Sequence, residues 1–177
     1  MTPRLSDIPV LETERLTLSA PSEEGAERFV DFLKTDRSRF IGGPDDSYRE
    51  VTRAYSHMAG LWVLRGYSAF SWALKDGTVI GHGGPWYPLY WPEPEFGWII
   101  YDGKYEGQGY ATEAMTVLRD WAWDTLGLTT CVAFIDPGND ASAAVANRLG
   151  GARDPETPNP FDDGEIDVWR FYPEGRA

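Results

Sequence analysis

The sequence predicts an α/β sandwich, one mixed sheet flanked by helices, in a chain of 177 residues. Three observations lead there. Segments of period-two alternation and segments of three-to-four spacing follow each other in the order β-α-α-β-β-β-α-β-α-β, with room for one more strand at the end. No linker, repeat or low-complexity tract interrupts that order, so residues 1–177 are expected to form a single domain. The composition is 42% hydrophobic and 14% aromatic with eight Trp, enough for a core in a chain that buries roughly 70% of its unfolded surface.

Arg15 to Ala20 alternates around Leu16 and Leu18 and reads as the first strand. Pro21-Ser22-Glu23-Glu24 supplies a capping serine and first-turn acids for a helix carrying Ala26, Phe29, Val30 and Leu33 at helical spacing. Val51, Tyr55, Met58 and Trp62 mark a second amphipathic helix after the turn-rich Gly42-Gly43-Pro44-Asp45. Phe70, Trp72 and Leu74 alternate with small residues, and Asp76-Gly77 predicts a two-residue hairpin turn into a strand from Thr78 to Trp86. Pro85, Pro88, Pro92 and Pro94 break the chain before a fourth strand, Glu95 to Tyr101.

From Tyr110, the stripe Ala111, Met115, Leu118, Ala122 and Leu126 predicts a long helix that Gly127 ends. Thr129 to Ile135 is the fifth strand. A short helix from Asp140 to Leu149 stops at Gly150-Gly151, and Ile166 to Tyr172 is the last strand.

Charge narrows the partners. The formal net charge of −12, from 28 acidic against 16 basic residues, would repel a phosphate backbone, so no nucleic-acid partner is expected. The same field would attract a cationic substrate, or it serves solubility alone. The start, with Arg4, Asp7 and Pro9, shows no basic-then-apolar leader, and no window approaches the roughly 18 apolar residues of a membrane span. The expectation is a cytoplasmic protein without a membrane partner. The single cysteine, Cys131, sits in the apolar run Cys131 to Ile135 and reads as a buried structural thiol rather than a nucleophile.

The candidate chemistry begins at Gly107-Gln108-Gly109-Tyr110-Ala111-Thr112, between a strand and a strong helix. Backbone amides at a helix start lack intrahelical partners, the dipole adds partial positive charge, and glycines let an anion approach the backbone; a diphosphate suits such a turn. It is not a Walker A loop, which needs Lys and then Ser or Thr where Tyr110 and Ala111 stand. Nor is it a dinucleotide fingerprint, whose third glycine is replaced by Thr112.

The run Glu106 to Ala114 resembles the acetyl-CoA signature of the GNAT superfamily, G-x-G-x-(G/A). Asn139, Ser142 and then Arg148-Leu149-Gly150 resemble its second motif, N-x-x-S…(K/R)-L-G. Glu12 to Leu16, Glu95 to Tyr101 and Asp167 to Arg170 are similar to the branch that includes ribosomal-protein-alanine N-acetyltransferases, and the likeness covers Leu11 to Tyr172.

That resemblance implies a mostly antiparallel sheet of about six to seven strands with helices on both faces, splayed between the fourth and fifth strands. It implies acetyl-CoA as co-substrate and no metal, with the diphosphate on Gly107, Gln108, Gly109, Tyr110, Ala111 and Thr112. Pantetheine would run beside the fourth strand. Strand amides alternate in direction, so Ile99 and Tyr101 are expected to face it together, and one such amide could stabilise the oxyanion. Asn139 and Ser142 are implied contacts to pantetheine or its thiol, although Asn139 in Asp136-Pro137-Gly138-Asn139 equally suits a helix cap.

The superfamily often places a tyrosine seven residues after this asparagine to protonate the departing thiolate; here that position is Ala146. Ser142 is the candidate replacement, with a capping serine as the alternative. Glu95 is the candidate base, acting directly or through water, with Glu93 and His82 as rivals. Tyr110 is expected to pack locally, and Glu113 to serve the first helical turn.

The implied reaction is direct transfer of acetyl from acetyl-CoA to a primary amine in a ternary complex, the acceptor being a protein or peptide N-terminus or a small-molecule amine. Neutralising a lysine amine at pH 7 costs roughly 4–5 kcal/mol against about 1 for an α-amine, so a modest base favours the latter. The alternative is a catalytically weak CoA-binding sensor or assembly module, which the missing tyrosine allows. Longer acyl groups, and antibiotic or polyamine acceptors, also stay open. The aromatic, proline-rich segment Pro85 to Pro92 could line the acceptor pocket, form a homodimer contact or simply pack as a loop.

Overall fold

The computed structural model describes residues 7–161 and 164–173; Arg4 and the outer ends of the 1–177 domain boundary lie outside them. Its strands are β1 (Leu11–Glu12), β2 (Leu16–Ser19), β3 (Phe70–Leu74), β4 (Val79–Trp86), β5 (Glu95–Ile100), β6 (Cys131–Ile135), β7 (Ala152–Arg153) and β8 (Asp167–Phe171). The α-helices are α1 (Glu23–Leu33), α2 (Tyr48–Leu64), α3 (Tyr110–Asp124) and α4 (Asp140–Arg148), with short 3₁₀ helices at Asp36–Ile41 and Gly103–Tyr105.

All eight strands form one sheet in the order β1-β2-β3-β4-β5-β6-β8-β7. Neighbours are antiparallel except β5 and β6, which are parallel and share a single register pair, Glu95 with Val132. The Val132 amide donates to Pro94 O at 3.0 Å, and beyond that point the strands part. This is the expected splay. The count exceeds the expected six to seven because β1 and β7 have two residues each, too few to alternate visibly.

The helices start where their capping residues dictate. Ser22 Oγ accepts from the Gly25 amide, and Ser47 does the same for Glu50 ahead of α2. Gly127, at φ 68°, follows α3 in the left-handed conformation that only glycine adopts freely. The β3–β4 turn departs from the two-residue expectation. Leu74 N–H donates to Thr78 O while Gly77, at φ 91°, closes a three-residue loop. Asp76 Oδ1 accepting from the Thr78 amide holds that longer turn.

Two hydrophobic clusters cover opposite faces, as the alternation of β5 shows. Phe96, Trp98 and Ile100 pack into the cluster built on Met115 and Leu118 of α3, whereas Ile99 and Tyr101 join Phe29, Val30 and Tyr55 of α1 and α2. Helices therefore lie on both faces, and β5 is the wall between them at the point where the sheet opens. Among the described residues, no helix is long and apolar enough to cross a membrane.

Candidate active site

The glycine turn ends a 3₁₀ segment and opens α3, with Gly107 at φ 70° and Gly109, the N-cap of α3, at φ 83°. A Cβ at Gly107 would meet nothing within 4 Å, and one at Gly109 only Arg15 Nη2 at 3.6 Å. The positive φ, rather than crowding, is what demands glycine here. Among the described residues, the amides from Gly107 to Thr112 donate to no backbone acceptor, so the turn presents a row of free donors at a helix N-terminus.

Arg15 braces the turn from β2's side. Its Nη1 donates to Gln108 O at 3.0 Å, its guanidinium lies 4.2 Å over the Tyr110 ring, and its Nε pairs with Glu113 at 2.6 Å. Glu113 also accepts from Thr13 Oγ1 and from the Arg15 amide, and these donors hold its carboxyl below the usual range against the cost of burial. Its role is thus larger than dipole compensation. Tyr110 packs locally, as expected.

The turn lines a groove of about 1030 Å³ that reaches from Arg39 and Arg148 to Trp98 and Ser142. Arg148 is exposed and makes no ion pair among the described residues. Arg37 is committed elsewhere: it donates to Tyr101 O at 2.6 Å and Ile100 O at 3.0 Å and pairs with Glu106.

The pairing of β5 corrects one expectation. Tyr101 N–H donates to Ile80 O at 2.9 Å. With the β4–β5 register, the Ile99 amide turns toward β4 as well. The amides of Trp98 and Ile100, not those of Ile99 and Tyr101, face the opening. Alternation was read correctly, but its phase is set by pairing with β4. Ile99 still lines the groove, while the side chain of Tyr101 is buried among Phe29 and Phe32 with its Oη 2.6 Å from His82 Nδ1.

A second cavity, about 460 Å³, opens on the α1–α2 side of β5. It meets the groove at Phe40, Ile41, Trp98, Ile99, Asn139 and Ser142, which line both. Glu95 lies in the second cavity, where burial pushes its carboxyl up to about 7 despite a 2.7 Å hydrogen bond from Trp91 Nε1 to Oε2. A carboxylate titrating there is suited to take a proton near neutral pH.

The rivals are otherwise engaged. Glu93 is held in a two-bond ion pair with Arg170 at 2.7 and 3.0 Å. Burial pushes His82 down to about 4, so its imidazole is neutral and weakly basic at pH 7.

Asn139 is the N-cap of α4, accepting from the Ser142 amide at 3.2 Å. The capping alternative for Ser142 is thereby overturned. Its Oγ accepts from Trp98 Nε1 at 3.3 Å at the junction of the cavities, and among the described residues no group accepts its proton. Ala146 is fully buried against the core, so no side chain from that position reaches the site. Cys131 Sγ donates to Pro94 O at 3.1 Å and burial raises its thiol well above the ordinary range, leaving it structural. Among the described residues, no cluster of His, Cys, Asp or Glu could hold a metal.

Sequence reasoning missed the 3₁₀ helix at Asp36–Ile41, which supplies Arg39, Phe40 and Ile41. Its six residues show no period that separates them from a loop. Trp98 and Asp136 were also missed as lining residues, whereas the aromatic segment Pro85 to Pro92 does supply Trp86, Tyr90 and Trp91 to the second cavity.

The family model for the acetyltransferase (GNAT) domain matches residues 15–152. An acetyltransferase from Agrobacterium tumefaciens is 38% identical, with 98% of this chain and 99% of that one covered at a TM-score of 0.87. The ribosomal-protein-S5-alanine acetyltransferase from Vibrio fischeri is similar in fold at 15% identity, covering 96% and 99% at 0.71. An aminoglycoside acetyltransferase in complex with coenzyme A matches at 14% identity, 89% and 94% coverage and 0.72.

Proposed function

The chain belongs to the GNAT acetyltransferase family and is an acyl-CoA-dependent acetyltransferase; we propose that it transfers acetyl from acetyl-CoA to a primary amine by direct attack in a ternary complex. The observation that carries this reading is the meeting of the two cavities at Trp98, Asn139 and Ser142, with Glu95 in one and the glycine turn in the other. Such a junction lets an amine and a thioester come together without a covalent enzyme intermediate, and holding them in register removes much of the entropic barrier.

In this reading the diphosphate lies on the amides of Gly107 to Thr112, and Arg148 supplies an uncommitted cation to the phosphates. Pantetheine follows β5 with the Trp98 and Ile100 amides toward it, and one of these amides stabilises the oxyanion. The bound ammonium gives one proton to Glu95, and its nitrogen then attacks the thioester carbon. As the C–S bond breaks, the thiolate takes a proton from Ser142 Oγ, and the second proton leaving nitrogen restores that hydroxyl. The products are the amide, CoA thiol and one proton released from Glu95 to solvent.

One sheet running from Leu11 to Phe171 supports treating the whole chain as a single catalytic domain. A cytoplasmic setting fits the unpaired buried thiol of Cys131. The acceptor is a small amine or a protein N-terminus, a reading supported by a ribosomal-protein-alanine acetyltransferase and an aminoglycoside acetyltransferase among the fold's relatives.

The test is thiol release from acetyl-CoA with a panel of amines, beside calorimetric titration of CoA. One-to-one binding with amine-dependent thiol release is expected. Binding without release for any amine would make the chain a CoA-binding module.

A further inference from the structure

We infer, resting on the transfer reaction proposed above, that the acceptor is a small organic cation: a primary amine on an aromatic or comparably apolar body, with no carboxylate beside the amine, selected by Asp136. The second cavity's 460 Å³ falls in the range of about 300–1,000 Å³ typical of small-molecule sites. Its walls are rings from several elements, among them Phe29, Tyr55, Trp86, Trp91 and Phe134. Such surfaces favour an apolar body and attract a cation through the negative ring faces.

The charges are sorted between the two cavities. Arg37, Arg39 and Arg148 line the groove beside Glu106 and Glu113, which are paired with Arg37 and Arg15, whereas neither Lys nor Arg lines the second cavity, whose charged side chains are Glu95 and Asp136. Its two imidazoles are occupied, His82 with the Tyr101 hydroxyl and His57 against the Trp86 ring at 5.5 Å. Asp136 is half-buried at the end of β6, and its carboxylate has no hydrogen-bond or ion-pair partner among the described residues. A carboxylate beside the reacting amine would be desolvated against two acids with no cation to meet it. An ammonium would have both acids and the rings in its favour.

The test compares kcat/KM for tryptamine, tryptophan and tryptophanyl-glycinamide with acetyl-CoA, in the parent and in Asp136→Asn and Asp136→Glu. Tryptamine is expected to exceed tryptophan by roughly a hundredfold, the scale set by like charges brought together on binding. Asp136→Asn should narrow that ratio about tenfold through KM rather than kcat, and Asp136→Glu should restore it. Calorimetry of tryptamine on the CoA-loaded protein should show the same loss of affinity in Asp136→Asn, with CoA affinity unchanged. Equal turnover of tryptophan and tryptamine would overturn the proposal while leaving acetyl transfer standing. Tryptophanyl-glycinamide, which lacks the carboxylate, should also exceed tryptophan; its failing to do so would mean that the carboxylate is not what the cavity rejects, and would overturn the proposal. A ratio unmoved in Asp136→Asn would overturn the role of Asp136. Tight CoA binding with no thiol release from any amine would fail the transfer reading itself.

Discussion

The groove and the second cavity share a wall but are built in opposite ways. The groove's free donors come from one contiguous stretch, Gly107 to Thr112, proposed to hold the diphosphate, and are backbone amides whose availability follows from two positive-φ glycines and a helix start. The cavity gathers side chains from α1, α2, β4, β5, β6 and the loop before β5. One tolerates variation in side chains and the other consists of them. A family can therefore keep one donor-binding device while its acceptor changes, and the donor is the half that a single sequence betrays.

The comparison breaks most sharply at Glu95, which belongs to the cavity yet, in the proposed reaction, acts on chemistry at the junction. Glu95→Gln is expected to lower kcat by about 10²–10⁴-fold, the usual range for a general base. The acidic limb of the parent's pH–rate profile, near 7, should vanish, leaving only the acceptor's own titration. Survival of that limb in the variant would assign it to another group.

Stability should move the other way. A carboxyl raised from 4.5 to about 7 by burial binds its proton more tightly folded than unfolded, so its stabilising contribution is complete below about pH 4.5 and is lost as pH rises to about 7. Above pH 7 the Gln variant, which keeps an acceptor for Trp91, should therefore be more stable than the parent, by about 3 kcal/mol at most. Melting temperatures of both proteins at pH 5 and pH 8 measure the difference.

Ser142 sharpens the comparison because it lines both cavities. Ser142→Ala should lower kcat about a hundredfold with little change in the acetyl-CoA constant, since a proton donated only as the C–S bond breaks stabilises the transition state alone. The α4 cap belongs to Asn139, so the melting temperature should hold. Turnover within about threefold of the parent would mean that the thiolate takes its proton from water or another group.

The smallest expected effect tests the groove by itself. Gly109→Val places a β-branched residue at φ 83°, which costs roughly 1–2 kcal/mol or more of local strain and tilts the free amides. CoA affinity should fall about tenfold, and amine binding to the cavity should not change. Unchanged CoA affinity in a folded variant would remove the diphosphate from this turn.

The same division governs what a reading of the residues could reach. Periodicity placed the long elements because burial of one face imposes it locally: Phe29, Val30 and Leu33 are buried on α1, and Val51, Tyr55, Met58 and Trp62 on α2. The two-residue strands and the 3₁₀ helix at Asp36–Ile41 escaped because a period needs more than one repeat to be visible. Capping chemistry is local as well: it offered a cap at Asn139, where the N-cap of α4 is, and the alternative cap at Ser142 fails because a helix start has one N-cap position.

By itself, then, the sequence determined an α/β order of elements, a glycine turn at a helix start and a pair of motifs that mark the family. Each of these rests on neighbours within a few residues, where backbone geometry leaves few choices. Tertiary structure alone decided the phase of β5, because the hydrogen bond from Tyr101 to Ile80 fixes which amides face the opening. It also gave Glu95 and Glu93 different environments: the two carboxylates lie two positions apart, but Arg170 from β8 claims one while burial beside Trp91 raises the other. Charge pairing and desolvation depend on what the fold brings within a few ångströms, and no spacing along the chain encodes that.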